Sequence, residues 1–562
     1  MNDVRVPIVL GVTGHRDLPS EDADALRMNI RQFFEQLQRT YPNSPFKLIS
    51  GLAEGADSLV AEVALELQLG LLAALPMSQT DYEQDFESPQ SLEHFRHLVT
   101  KAESCFVVPQ DDDLAKAEPS RDLQYLALGR YIARHSQIVI ALWDGVSEQV
   151  AADGSKQILT GGTADVVRLC RSGLFSEDPN QIVLPEVTQL EHLWVRRHGK
   201  TLPNGEVGQW ARSMDVEGAN VYAQSKARID VVLRSIDKFN AYASNLPPAQ
   251  TQQSCDWLLG KNPPPAVTTC LARPLACFSA ADAAAGQRQV ERSKAIKWIS
   301  GLAVVSIICQ QVYSGPDMRW GWIAAHITLA MLAFLEYSRH FTRDNPREQQ
   351  YLDWRSLAEA LRVQLFWLAG GVRSSVADHY LSGDRDELDW IRQAARNTIV
   401  GVSPMPDHKT VEWTRDAWLE SQRSYFRKKS PENSNSVKRF SRLTNALFLL
   451  ALLITLSTLV AHLMDIPDSV LNMFVLASGI CFLGTAVLKT YAEQMAFEEQ
   501  KSRYHAMGET FQIALGRLDI HLSHKDYDNA RNVLLLIGKE ALTENAGWLR
   551  LHRQRQFEVT VA

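Results

Sequence analysis

The sequence predicts an α/β protein joined to an α-helical membrane domain. Strand-like and amphipathic helical segments alternate over the first 175 residues or so, which predicts an open parallel sheet. After residue 290 come four apolar stretches that each approach the ~20 residues a membrane-spanning helix needs. These stretches fall into two similar pairs, which indicates four transmembrane helices in two repeats. We therefore divide the 562 residues into a sheet domain, a mostly helical connector and two membrane units, at 1–200, 201–290, 291–430 and 431–562.

Charge and cysteine content exclude several classes of protein. The 58 basic and 65 acidic residues give a net charge of -7, whereas a dedicated nucleic-acid-binding protein is strongly basic. The seven cysteines are scattered without a C-x-x-C, and no histidine pair has zinc-ligand spacing, so we expect free thiols and no metal site. The apolar run near the N-terminus is too short for a signal peptide.

The sheet domain begins with RVPIVLGV at 5–12, a continuous apolar run of the kind that forms a fully buried strand. An amphipathic helix follows, with its apolar face made by Leu26, Ile30, Phe33, Phe34 and Leu37. Further strands are predicted at FKLISG, LLAALP, CFVVP and QIVIALWDG, with helical segments between them. This alternation is typical of a parallel sheet with helices on its faces.

Three of the strand-to-helix turns are rich in glycine, serine and threonine, at 11–16, 50–57 and 160–163. Glycine lets the backbone approach a phosphate, and the start of a helix offers unpaired N–H groups. In a parallel sheet, ligands bind beyond the carboxyl ends of the strands. The turns therefore predict a nucleotide-type ligand near Gly11, Thr13, Gly14, His15, Arg16, Ser50, Gly51, Leu52, Glu54, Gly55, Asp57, Trp143, Asp144, Gly161, Gly162 and Thr163.

Charged side chains in the first two turns each have two interpretations. Arg16 either grips a phosphate bidentately or is a solvated residue that closes the turn. His15 either hydrogen-bonds a ribose or phosphate or caps the turn. Glu54 and Asp57 fit acceptors for ribose hydroxyls or charges at a helix N-terminus, and capping is the favoured role for Asp57.

The end of the strand at 137–145 supplies two further candidates. Trp143 could stack on a base, or it could be a core residue. Asp144, directly after it, could accept a hydrogen bond from a ribose hydroxyl.

The four apolar stretches are Ala295–Tyr313, Trp320–Tyr337, Leu443–Leu463 and Ser469–Leu488. The first pair contains Gln310, Gln311 and His326, so a buried core helix remains an alternative for those two. Basic residues flank the outer ends of both pairs, whereas the loops inside the pairs hold only Arg319, so both termini are predicted to face the cytosol. Polar residues in the spans either line a pore or form hydrogen bonds between helices.

An internal duplication relates the two pairs. A shift of 150 residues carries Trp320 to Val470 and also carries Glu359 to Glu509. Each unit then reads as a helical pair, a long cytosolic helix and a return segment, and the polar stretch at 427–439 reads as a turn-rich linker between units.

Each unit resembles the SLATT family of two-transmembrane effector modules, over about 288–427 and 438–557. The glycine turns SGLAEGAD and TGGT are similar to those of the SLOG superfamily, over about residues 4–175. The SLOG resemblance implies a Rossmann-like fold that binds nucleotides or ADP-ribose derivatives. The same resemblance indicates whether catalysis is expected, because the lonely-guy hydrolases of this superfamily carry a catalytic glutamate after the glycine turn. Here Ala164, Asp165 and Val166 follow the turn, so we expect a binding protein without catalytic residues or a cofactor.

Together the resemblances imply a membrane-embedded effector of bacterial antiviral defence. Its SLOG domain would sense a nucleotide-derived second messenger, of the ADP-ribose or cyclic nucleotide type, and the membrane region would permeabilise or depolarise the membrane. The expected location is the bacterial inner (cytoplasmic) membrane, as a multi-pass homo-oligomer that acts as an ion channel or pore. The alternatives are a membrane-tethered nucleotide hydrolase of the lonely-guy type, using Glu54 or Asp144, and a passive membrane scaffold.

Overall fold

The N-terminal part of the chain is built on a six-stranded parallel sheet. The computed structural model describes residues 3–109, 120–150, 156–158, 162–172, 188–211, 219–313, 320–341, 346–380, 385–405, 407–464, 466–494 and 497–554. The strands of this sheet are β1 (Ile8–Gly14), β2 (Phe46–Ser50), β3 (Gly70–Leu75), β4 (Ser104–Val107), β5 (Ile138–Trp143) and β8 (Gln189–Trp194). Between β5 and β8, a separate two-stranded hairpin is formed by β6 (Glu148–Val150) and β7 (Lys156–Ile158). Their order in the sheet is β4-β3-β2-β1-β5-β8, and every neighbouring pair is parallel.

Helices cover both faces of this sheet, as the apolar strands require. They are α1 (Ala23–Thr40), α2 (Ala56–Glu66), α3 (Gln79–Tyr82), α4 (Pro89–Lys101), α5 (Arg121–His135) and α6 (Thr163–Ser172). Ile8 and Leu10 of β1 share one core cluster with α1 and α2, whereas Val9 points to the other face and shares a cluster with α5 and α6. The predicted open parallel α/β sheet is confirmed.

Strand β8 was not predicted. Its sequence, QLEHLW, has neither an apolar run nor the alternation of a half-buried strand, yet all six residues are buried beside β5. The polar members find partners inside the protein: the Gln189 side chain donates to Glu191, and His192 Nε2–H donates to the Trp143 carbonyl over 2.9 Å.

A helical connector follows the sheet, with α7 (Ala219–Ala243), α8 (Pro248–Leu259), α9 (Pro265–Cys270) and α10 (Ala272–Tyr313). Helix α10 runs without interruption from the connector through the first apolar stretch. The segment at 262–270 contains α9, whose first residue is a proline, a residue well suited to that position of a helix.

The C-terminal part consists of two helical hairpins and the helices that follow them. The hairpins are α10 with α11 (Trp320–Phe341) and α16 (Ser421–Leu463) with α17 (Asp468–Gln494). The other helices are α12 (Pro346–Ala369), α13 (Val376–His379), α14 (Arg385–Thr398), α15 (His408–Thr414), α18 (Phe497–Ser523) and α19 (Tyr527–Gln554), with a π-helical turn at Arg415–Glu420. In both units the helix after the hairpin, α12 or α18, packs on the first helix of that hairpin.

One expectation for this region is wrong. Residues 427–439 are not a turn-rich linker but part of α16, which continues through Pro431. The polar side chains lie on a helix surface, where Lys429 and Glu432 pair over 2.7 Å at a spacing of three residues.

Two helical stretches in the described part of the chain are long and apolar enough to cross a membrane, His408–Leu463 and Asp468–Ala492. Their apolar side chains are largely exposed, including Leu453, Leu456 and Met473. The helices of the first hairpin do not meet the same criteria of length and composition, so their membrane spans stay a prediction.

Candidate functional site

The candidate site lies where the chain changes direction across the sheet. From β1 the chain proceeds through β2 and β3 to β4, and then returns to the other side of β1 as β5. Ligands in open α/β sheets bind in the crevice that such a reversal leaves at the carboxyl ends of the strands. Here that crevice lies between the ends of β1 and β5, and the residues that follow these strands are His15 and Asp144.

His15 and Asp144, both predicted site residues, are in direct contact across this crevice. His15 Nε2 lies 3.1 Å from Asp144 Oδ1 and 3.2 Å from the Asp144 backbone nitrogen. The Val146 N–H also donates to Asp144 Oδ1, over 3.0 Å. Burial alone would raise the pKa of Asp144, but these hydrogen bonds and the positive charge of Arg197 lower it below its usual value. The Asp144 carboxylate is therefore ionised and turned towards His15.

Arg16 provides a positive charge at the same edge. Its guanidinium lies over the Tyr125 ring, 5.2 Å from the centroid, and forms no ion pair within the described ranges. A cation that is held by an aromatic ring and lacks a carboxylate partner is suited to an anionic ligand. The Tyr125 hydroxyl is oriented in turn by a hydrogen bond to Asp85.

Asp57 lies at the start of α2 and is buried. Burial raises the pKa of this carboxyl to about 7, while the charge of Arg16 and hydrogen bonds from the Ala53 and Gly51 backbone N–H groups act in the opposite direction. Asp57 thus binds N–H groups of the turn that precedes α2, whereas the N-cap position of α2 is held by Gly55 and no side chain caps it. The capping role of Asp57 stays a prediction.

The other polar groups of the second turn are also bonded within the protein. Ser50 Oγ accepts from the Leu52 N–H over 3.0 Å and donates to the Asp57 carbonyl over 3.3 Å. The Ala56 N–H donates to the His15 carbonyl over 3.0 Å. Glu54 is partly exposed at the tip of the turn. This turn therefore orders the crevice from one side, and few of its donors are left for a ligand.

The glycines of the first two turns are required by packing. A Cβ at Gly14 would lie 2.8 Å from the Leu142 carbonyl oxygen, and one at Gly11 would lie 2.5 Å from Ser136 Oγ. Gly55 has φ +81° and would bring a Cβ within 2.6 Å of the His15 carbonyl oxygen. A Cβ at Gly51 would be 2.9 Å from Leu128 Cδ2, and Thr13, like Gly11, is buried in β1. These residues position the crevice by allowing α2 and α5 to approach the sheet closely.

The third turn differs from the first two. Gly161 lies outside the described residues. Gly162 has φ +80°, and no atom of the described residues lies within 4 Å of where its Cβ would be, while Thr163 begins α6 and is buried. Trp143 is 3% exposed and belongs to the core between β5 and α6, with the Arg171 guanidinium 5.6 Å from its ring centroid. In this structure the Trp143 ring is thus a core element rather than an open stacking surface.

Several side chains at this edge were missed by the sequence analysis. Tyr82 is buried and its hydroxyl has no hydrogen-bond partner in the part of the chain that the structure describes. Burial, together with the nearby Asp57 carboxyl, raises the pKa of Tyr82. Arg121 at the start of α5 pairs with Asp85 and donates to the Asp81 carbonyl over 3.1 Å. The sequence signal for Tyr82 and Asp85 was the polar segment SQTDYEQDF, which begins two residues after the strand LLAALP. Residues that follow a parallel strand lie at the ligand-binding edge.

No model of a known protein family matches this chain, and no curated protein is significantly similar to it in sequence. Across the described ranges, no three His, Cys, Asp or Glu side chains come close enough together to hold a metal ion.

Proposed function

We propose that the protein is a membrane-embedded effector that senses a nucleotide-derived second messenger of the ADP-ribose or cyclic nucleotide type. Its sheet domain binds the messenger in the crevice between β1 and β5. The two hairpins form a four-span membrane region that responds by permeabilising or depolarising the membrane. The expected setting is antiviral defence in bacteria, at the inner membrane, with several copies of the chain forming the pore and no catalysis.

The ligand proposal rests mainly on the position of the Arg16 guanidinium. A guanidinium that forms no ion pair in the described part of the chain, at the switch point of a parallel sheet, is a natural partner for a phosphate, because charge-assisted hydrogen bonds are roughly twice as strong as neutral ones. The neighbouring Tyr82 hydroxyl is buried and has no hydrogen-bond partner among the described residues, so it is a second group that a ligand could satisfy. His15 is held by Asp144 at the same edge and supplies a further polar contact.

The exposed apolar surface of both hairpins supports the membrane proposal. On α11, Ile327, Met331 and Phe334 are exposed, although this helix does not meet the composition criteria that α17 meets. Contiguous apolar surface of this kind would be unfavourable in water. The hairpins also touch each other, because Ala295 and Ile299 of α10 pack against Tyr491 of α17. This contact supports the proposal of a single bundle of four helices in the membrane.

The test uses the full-length protein purified in detergent. Thermal stabilisation is measured against nucleotides, ADP-ribose and its cyclic forms, and each compound is analysed by mass spectrometry afterwards. The active compound is then added to liposomes that contain the protein, and dye leakage is followed. Stabilisation by a compound that is recovered intact, together with leakage that requires it, is the expected result.

The decisive variant is Arg16→Gln, because this side chain is exposed and its replacement leaves the core intact. The matched control is Arg39→Gln, which removes another exposed cation, at the end of α1. We expect the first variant to lose ligand stabilisation and the second to keep it. Equal stabilisation of both variants would contradict the proposed site, and leakage that is independent of the compound would contradict the effector role. Recovery of a free base and a phosphorylated ribose would instead establish the hydrolase alternative.

A further inference from the structure

A cavity of about 820 Å³ lies at the opposite edge of the sheet from the crevice. We call it the amino-edge cavity, because one side of it is formed by the first residues of β2, β3 and β4. The other side is formed by the start of α10 and by the segment after α14. The lining residues used below are Asp3, Arg5, Phe46, Lys47, Leu69, Gly70, Glu103, Ser104, Arg273 and Val400.

The charged side of the amino-edge cavity has more cations than carboxylates. Arg5 pairs with Asp3 over 2.8 Å. Lys47 and Arg273 share one oxygen of Glu103, which Arg273 Nη2 approaches to 3.8 Å. The Glu103 carboxylate is therefore shared by two cations, and these five side chains together carry a net charge of one positive unit.

Lys47 is the cation most affected by this crowding. Its side chain is only 13% exposed. Burial lowers the pKa of Lys47, the charge of Arg273 lowers it further, and the ion pair with Glu103 opposes both effects. A further anion between Lys47 and Arg273 would reduce the repulsion between these two cations. Gly70 permits the present arrangement, since a Cβ at that position would lie 2.8 Å from Glu103 Cδ.

The remaining lining of the cavity indicates an organic ligand. Phe46, Leu69 and Val400 are buried apolar residues on its walls. Ser104 Oγ is buried and has no hydrogen-bond partner in the described ranges. The volume falls within the roughly 300–1,000 Å³ of small-molecule sites, which combine apolar walls with a few polar groups.

We propose that the amino-edge cavity binds a small organic phosphate, with the phosphate accepted by Lys47 and Arg273 and the organic part placed against Phe46. This second site is independent of the proposed function of the crevice, because the two lie at opposite edges of the sheet. A ligand in the amino-edge cavity would contact both the sheet and the first turn of α10. Binding there would therefore couple a second small molecule, besides the ligand of the crevice, to the helix that leads towards the predicted membrane region.

The test is a calorimetric titration of the full-length protein in detergent with pyrophosphate as the probe. Every measurement is made in an Arg16→Gln background, so that binding in the crevice does not contribute. We expect saturable binding that Lys47→Gln weakens at least about tenfold, which corresponds to the loss of one charge-assisted hydrogen bond. The matched control, Lys525→Gln, removes an exposed lysine in the turn between α18 and α19 and should leave the affinity unchanged.

A second variant, which should bind pyrophosphate more tightly, tests the proposal even if Lys47→Gln fails to fold. Glu103→Gln removes the carboxylate that competes for both cations, so it should tighten pyrophosphate binding several-fold, whereas a damaged fold would weaken binding. Absence of binding in the Arg16→Gln parent, equal affinity with folded Lys47→Gln, or failure of Glu103→Gln to tighten binding would each overturn the proposal. None of these outcomes bears on the crevice, which the Arg16→Gln background excludes.

Discussion

The buried carboxyl of Asp57 makes the stability of the sheet domain depend on pH. Its pKa in the folded protein is about 7, against 3.8 for an ordinary aspartate, so the folded state favours the protonated form. The stability that this proton provides is fully present below about pH 4 and is lost as the pH rises through 7. Three pH units correspond to at most about 4 kcal/mol in the free energy of unfolding.

We therefore expect Asp57→Asn, which is neutral at every pH, to gain stability relative to the unmodified protein as the pH is raised from 5 to 8. Thermal midpoints measured across that range test the prediction. Asp24→Asn, on the exposed surface of α1, is the control and should show no such trend. A difference between Asp57→Asn and the unmodified protein that is constant with pH would contradict the assignment.

Gly14 is a second residue with a measurable effect. A Cβ there would lie 2.8 Å from the Leu142 carbonyl oxygen and 2.9 Å from Leu142 Cβ, so Gly14→Ala should destabilise the fold by about 1–3 kcal/mol. Gly516→Ala is the matched control, because Gly516 lies in α18 with open space around it and alanine is the better helix former. The thermal midpoint should fall in the first variant and rise slightly in the second. If Gly14→Ala is neutral, the packing reason for this glycine is wrong.

At the scale of elements, a buried amide network joins the sheet to α14. Asn397 Nδ2 donates to the Pro7 carbonyl over 2.7 Å and to Gln137 Oε1 over 2.9 Å. The Gln137 amide donates in return to Asn397 Oδ1 over 2.6 Å and to Gln393 Oε1 over 2.9 Å. These bonds connect the amino ends of β1 and β5 to α14, a helix that follows the first hairpin, and each group in the network would be costly to leave unpaired.

Replacing Asn397 with leucine should therefore destabilise the protein by about 1–3 kcal/mol, because the Pro7 carbonyl and the Gln137 amide lose partners in a buried position. The thermal midpoint measures the effect. Asn245→Leu removes an exposed asparagine in the turn just after α7 and should change the midpoint little. Similar midpoints for the two variants would show that the network contributes little to stability.

The strands of the sheet differ in how well the sequence predicts them. The strands β1, β3 and β5 were predictable because each is an apolar run that both faces of the sheet bury, and β2 follows the same pattern except at Lys47. Strand β8 was not, because its glutamine, glutamate and histidine are accommodated by hydrogen bonds that only the folded protein creates. In the site, the contact of His15 with Asp144 follows from strand order. The approach of Arg16 to Tyr125 depends on how the loop after β1 lies against α5, which no local pattern reveals.

For the whole molecule, the first consequence concerns topology. If both hairpins span the membrane, peptide tags inserted between α10 and α11 and at Pro467 should be accessible from the outside, whereas a tag at either terminus should be accessible only from the cytosolic side. Protease digestion of right-side-out vesicles tests this expectation. Protection of the tag between α10 and α11, with cleavage of the tag at Pro467, would leave only the second hairpin in the membrane.

Membrane insertion of the second hairpin has a direct mutational test. Leu456 is exposed on α16, so Leu456→Arg should weaken insertion by about 2.5–3.5 kcal/mol and increase the fraction of protein released by alkaline carbonate. Leu536→Arg, which changes an equally exposed leucine of α19, should leave extraction unchanged. Equal extraction of the two variants would argue against a span at α16.

The length of α10 has a mechanical consequence. Its 42 residues, at about 1.5 Å each, form a rod of roughly 63 Å. The near end is anchored beside the amino edge of the sheet, where Arg273 donates to the Val400 carbonyl over 3.1 Å, in the segment after α14, and the Cys277 thiol contacts the Arg5 carbonyl just before β1. A rod of this length is a lever, since a tilt of roughly 5° at its anchored end displaces the far end by about 5 Å, close to one helical turn. A movement of α10 by a few tenths of an ångström beside its anchored end would therefore be enough to displace the side chains at its far end by about one helical turn.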